Sequence, residues 1–177
     1  MKIEIDVFKS DKKRKDKLTK KEMVQIASVC LKVCQLKRDI IFLNVTFCSK
    51  RAMLKLNKST RQEHHATNVL SFEAKTDQVS LNNLVKNGMV CDKYKMVYLG
   101  EMVLCPEVVK EEAEKLGIPM KERYYLLFTH GLCHLLGYDH RTKQEEKQMI
   151  DIEEKTLLHF DIKDPYWYNC YDTEDVD

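Results

Sequence analysis

YYLLFTHGLCHLLGYDH, residues 124–140, is the stretch from which the rest of the chain is read. Up to Leu136 it is almost wholly apolar, and Pro119 before it and Gly137 after it are the punctuation expected at the two ends of a buried helix. His130 and His134 are four residues apart, so on a helix both imidazoles project from one face, about one turn apart. Gly137 can take the left-handed conformation that ends a helix, which lets the chain reverse and bring His140 back to the same point. Three of the chain's six histidines fall in residues 130–140. In so apolar a helix, unpartnered imidazoles would bury polar nitrogens at a cost of about 1–3 kcal/mol each. One zinc ion held by His130, His134 and His140 is therefore expected, with a fourth position open, the arrangement of catalytic rather than structural zinc. Cys133 shares the helix but lies out of register with the pair, which suits core packing.

The spacing equals that of the zinc proteases with HExxHxxGxxH, in which the glutamate after the first histidine is the general base. Gly131 stands at that place here. Ordinary zinc peptidase chemistry thus lacks its proton acceptor.

Outward from this helix the chain reads as strands and helices of one α+β domain, a small mixed sheet of about four strands packed against helices. Ile3, Ile5 and Val7 alternate with Glu4 and Asp6, the period of a half-buried strand over residues 2–8. Thr19 and Glu22 have capping-box spacing, and apolar residues at helical intervals follow to about Leu36. Residues 40–48, IIFLNVTFC, form a second strand with Ile41, Leu43, Val45 and Phe47 on one face. Ser49 caps a short helix over 51–56, and the polar residues 57–67 read as a loop holding Arg61, His64 and His65. Strands are expected at 68–72 and 97–105, separated by a long polar loop over 75–95. Pro106 opens a helix that Gly117 ends, and a last amphipathic helix covers about 142–160. The domain is placed at 1–160 and an acidic polar tail at 161–177.

Composition narrows the class. With 177 residues, 44% hydrophobic and 33% charged, the chain is too apolar to be disordered and too charged for a membrane protein. No apolar run approaches the ~18 residues of a membrane span, and MKIEIDVF alternates where a signal peptide would carry an apolar block. Seven cysteines without CxxC spacing argue against a disulfide framework and for a reduced, cytoplasmic setting. Net charge is +2, yet eight basic residues crowd the stretch from Lys9 to Lys21. A basic run can hold a phosphate backbone, but alone it reads as a solvated loop.

HGLCHLLGYDH, with TNVLSF at 67–72, LGEMVLCPEV at 99–108 and Arg61 before them, closely resembles the YbeY family of rRNA maturation factors, in order and from roughly Ile3 to Phe160. The resemblance implies a single-domain, zinc-dependent, single-strand-specific endoribonuclease acting at the small-subunit rRNA 3′ end and in ribosome quality control. Its partners would be ribosomal RNA, the small subunit and assembly factors, with no membrane and no DNA. Carried over position by position, the metal ligands are His130, His134 and His140, His130 counting also as catalytic, and the family's important arginine is Arg61, catalytic and substrate-binding. Departures fall elsewhere: His65, Ala66 and Glu73 stand where the family commonly has a Lys-Pro-like pair and a proline after LSF.

Physical roles follow from these residue types. A metal lowers the pKa of bound water towards ~7 or polarises a phosphoryl oxygen, and both routes build negative charge on phosphorus. A guanidinium such as Arg61 meets that charge with a rigid fork of donors; without the resemblance it would read equally well as an exposed loop arginine. Asp139 is a candidate to orient a ligand imidazole. Glu101, placed at the start of the fourth strand, is a candidate base, with a solvated carboxylate as the plainer reading. His64 and His65 are candidate substrate contacts or plain loop surface, and LGEMVLC a candidate edge strand along the cleft. Two other readings stay open: a zinc hydrolase of peptides or small molecules using Glu101 or water as base, and a non-catalytic ribosome-assembly factor with structural zinc.

Overall fold

The computed structural model describes residues 1–9, 18–36, 40–74 and 96–166. The expected 75–95 loop, most of the basic run and the end of the acidic tail lie outside them. The described elements are β1 (Lys2–Lys9), α1 (Lys20–Val33), β2 (Ile40–Phe47), α2 (Lys50–Arg61), β3 (Val69–Glu73), β4 (Met96–Leu104), α3 (Pro106–Leu116), α4 (Met120–Leu135) and α5 (Lys143–Leu158). This is the α+β arrangement expected, a four-stranded mixed sheet with helices packed on it.

The sheet order is β1-β2-β4-β3. β1 and β4 both run parallel to β2, and β3 runs antiparallel to β4. Strict alternation in β2 puts Ile41, Leu43, Val45 and Phe47 into the main core, where they meet α1, α4 and α5. A smaller cluster of Cys48, Met53, Leu70, Val103, Cys105 and Val108 joins α2 and α3 to the sheet ends. α4 is the hub: from Tyr124 to Leu135 only His130 and His134 escape full burial.

Local chemistry sets the boundaries. Thr19 and Glu22 form the expected capping box, yet α1 stops at Val33, because Gln35 turns left-handed at φ 56° and Leu36 N–H returns to the Leu31 carbonyl. α2 is longer than its apolar pattern suggested. Residues 57–61, expected as loop, continue the helix, and Gln62 at φ 61° ends it. Arg61 is therefore the last helical residue and not a loop residue.

β4 departs from simple alternation. Phe42 faces Tyr98 and Leu43 faces Gly100, so Leu99 is an extra residue, and the bulge reverses the strand's phase. Met102 and Leu104 thereby turn into the core, and Glu101 turns outward in mid-strand rather than beginning it. Gly100 at φ 131° is required there, since a Cβ would lie 2.1 Å from the Phe72 carbonyl oxygen. β4 is also an interior strand; the edges are β1 and β3.

Candidate metal centre

His130 and His134 leave α4 from its last two turns. Leu136 caps that helix, Gly137 follows at φ 89°, and Tyr138 N–H closes back on the Cys133 carbonyl at 2.9 Å. His140, two residues on, stands with its ring centroid 5.6 Å from that of His130 and 5.2 Å from that of His134. One nitrogen of each ring lies within 4.8 Å of the others, so the three can hold a metal ion.

The hydrogen bonds behind the rings decide which nitrogens face inward. Nδ1 of His134 meets the Tyr138 carbonyl oxygen at 3.1 Å, and Nδ1 of His130 meets Glu153 Oε1 at 2.8 Å. Neither a carbonyl nor a carboxylate oxygen has a proton to give, so in the neutral rings the proton sits on Nδ1 and Nε2 presents a lone pair. Those two Nε2 atoms are 3.1 Å apart. Two converging lone pairs repel unless a cation lies between them, and zinc with Zn–N bonds of ~2.0–2.1 Å at tetrahedral angles wants ligand nitrogens about 3.3 Å apart. The donor set fits a divalent metal. Burial holds His134 at a pKa of about 4, its imidazole neighbours His130 and His140 adding to the effect, so near neutrality its lone pair is free of a proton.

Glu153 is the residue sequence reading missed. It lies in α5 among acidic neighbours that look solvated, yet it is 1% exposed and falls in phase with Met149, Thr156 and Leu157. A carboxylate on the apolar phase of a helix was the available signal. Asp139, the sequence candidate for this task, does otherwise: its oxygens take the His140 backbone N–H at 2.9 Å and the Arg141 guanidinium at 2.6 Å.

Arg61 shares one open cleft of about 680 Å³ with His134 and His140, lined also by Ser71 and Arg141 among others. The end of α2 thus delivers a guanidinium to the same hollow that the end of α4 lines with the His134 imidazole. His64 and His65 are exposed and outside that lining; buried Asn57 donates to the His65 carbonyl at 2.9 Å and so ties the intervening bend to α2. Glu101 lies outside it too, on the sheet face opposite Met102. Gly131, at the place of the protease glutamate, packs against the sheet: a Cβ would meet Met102 Cε at 2.6 Å and Ser71 Oγ at 3.0 Å. There is no base at this position and little room for one.

A family profile described as Endoribonuclease YbeY matches residues 4–161. Similar proteins named Endoribonuclease YbeY include one from Buchnera aphidicola, 31% identical over 77% of this chain and 77% of its own length. Another from Zymomonas mobilis is 36% identical over 70% of this chain and 67% of its own. A third, from Beutenbergia cavernae, is 36% identical over 67% and 73%. A solution structure of a Thermotoga maritima protein superposes with a TM-score of 0.51 at 18% identity, covering 92% of this chain and 99% of that one, and so shares the fold. With a profile match over most of its length and relatives at this identity, the chain belongs to the endoribonuclease YbeY family.

Proposed function

We propose that this protein is a single-strand-specific endoribonuclease that uses one zinc ion and acts in the cytoplasm on ribosomal RNA, at the small-subunit rRNA 3′ end and in ribosome quality control, alongside the small subunit and its assembly factors. The observation that carries the reading is that Arg61 shares one cleft with His134 and His140, two members of the histidine cluster. The names of the relatives supply the reaction class.

His130 and His134 turn their Nε2 atoms towards one another, Glu153 and the Tyr138 carbonyl fix their rings, and His140 completes the set from the cleft rim. A divalent metal bound there supplies a Lewis acid and lowers the pKa of its water towards neutrality. Arg61 holds a phosphate oxygen with its fork of donors and offsets the charge that builds as the phosphodiester is attacked. Arg61 is exposed at a helix end, so it reaches a substrate strand without first leaving a buried pair. The peptide-hydrolase alternative loses support from Gly131, where a Cβ already crowds Met102.

The test is cleavage of single-stranded RNA, the duplex of the same sequence and assembled small subunits by purified protein before and after chelation. Zinc-dependent cutting of the single strand is expected. Turnover of peptides with RNA left intact would overturn the assignment.

A further inference from the structure

Glu153 is 1% exposed. A buried carboxylate is tolerated when each oxygen has a partner. Oε1 takes the His130 Nδ1 proton at 2.8 Å, and Oε2 accepts the Tyr166 hydroxyl. Tyr166 lies five residues past the end of the profile match at residue 161. The segment leading to it is anchored: Ile162 and Tyr166 pack on the main core, and Pro165 is buried.

The resulting line runs from Tyr166 through Glu153 to Nδ1 of His130, whose opposite nitrogen faces His134 at 3.1 Å. A carboxylate held at one oxygen can turn about its last bond, whereas one held at both keeps its plane. Fixing that plane fixes the tautomer and ring angle of the ligand in front of it.

We propose that Tyr166 is a positioning residue of the metal centre, and that residues 162–166, beyond the stretch the family profile matches, tune metal affinity through Glu153. This deepens the reading of His130, His134 and His140 as metal ligands and rests on it. Phenylalanine at 166 keeps the ring packing and removes only the hydroxyl, so it separates positioning from packing.

Zinc is the probe, its affinity read by competition with a chromophoric chelator. Glu153→Gln is expected to weaken binding about 10- to 100-fold and Tyr166→Phe, one contact further out, about 3- to 10-fold. Because Tyr166 acts through Glu153, the double variant should bind no more weakly than Glu153→Gln alone. In the metal-free chain the His130 Nδ1 proton, observed by NMR, should shift in Tyr166→Phe, and this arm decides the matter if Glu153→Gln does not fold. Wild-type affinity and an unmoved proton in Tyr166→Phe, or additive losses in the double variant, overturn the relay. A wild-type chain that takes up no divalent metal overturns instead the metal reading of the three histidines, and the relay with it.

Discussion

The Tyr125 hydroxyl donates to Glu22 Oε1 at 3.1 Å, tying the first turn of α1 to the body of α4 through one carboxylate. The same side chain accepts from the Thr19 backbone and hydroxyl, closing the capping box, and from Lys121 at 2.8 Å. A local start signal and a tertiary contact thus share one group, and α4 is the helix that carries the metal ligands.

That sharing makes Glu22 an acid-sensitive point. Burial works against its charge, but the hydrogen bonds from Lys121, from the backbone and hydroxyl of Thr19 and from Tyr125 outweigh it and bring its pKa from 4.5 down to about 2. Stabilisation from a depressed carboxylate is complete above the unfolded value and is lost as pH falls through the folded one. Glu22→Gln should therefore lower stability by about 1–2 kcal/mol near neutrality, and the gap to wild type should close as pH drops from 4.5 towards 2. Melting temperatures of both proteins across that range check it; a constant gap would deny Glu22 this role.

His134→Ala should strip the metal. The variant removes one of two converging Nε2 atoms and leaves His130 and His140 as an incomplete set. Elemental analysis of protein purified without chelators reads the result directly, and wild-type metal content in the variant would remove the trio from consideration.

Gly131→Ala tests the contact between α4 and the sheet. Alanine should favour a helix interior by about 1 kcal/mol over glycine, yet its Cβ would meet Met102 Cε at 2.6 Å and Ser71 Oγ at 3.0 Å. Overpacking of a buried contact costs about 1–3 kcal/mol, so the expected net change is a loss. In a Met102→Ala background the loss should shrink, because the Met102 contacts are gone and only Ser71 Oγ at 3.0 Å remains to crowd the Cβ. Denaturant unfolding of the four proteins gives the coupling, and a stabilising Gly131→Ala in the wild-type background would show that the helix stands further from β4.

What the sequence made legible was what neighbours along the chain decide. The Thr19 box, the alternation of β2 and the i, i+4 pair of histidines depend on residues a few positions apart, and all three appear where their spacing puts them. The misreadings have tertiary causes. α2 runs on through polar residues because Asn57 is buried and holds the His65 carbonyl, which no apolar periodicity announces. Glu101, read at the start of its strand, stands in mid-strand and is exposed there because a bulge at Leu99 and Gly100, set by pairing with β2, reverses the phase of β4. Glu153 serves His130 from another helix, so its role was written in the packing of α5 on α4 and only faintly in its own surroundings.

Arg61 carries the remaining prediction. If it offsets charge at phosphorus, Arg61→Ala should lose on the order of 10²- to 10³-fold in turnover, the loss typical of one preorganised donor. Its stability cost should stay below about 1 kcal/mol, since a cation in the last turn of a helix contributes only ~0.3–1 kcal/mol through the helix dipole, and Lys58 remains in that turn. Metal content should not change, because Arg61 lines the cleft without joining the cluster of imidazoles. Arg61→Lys should recover part of the rate, as an ammonium keeps the charge but not the two-pronged geometry. If Arg61 instead only anchors RNA, Arg61→Ala should weaken binding and reduce its salt dependence by about one phosphate contact, while single-turnover cleavage of saturating substrate stays intact. That outcome would leave charge stabilisation to the three histidines and what they bind, with Arg61 setting only where the strand lies.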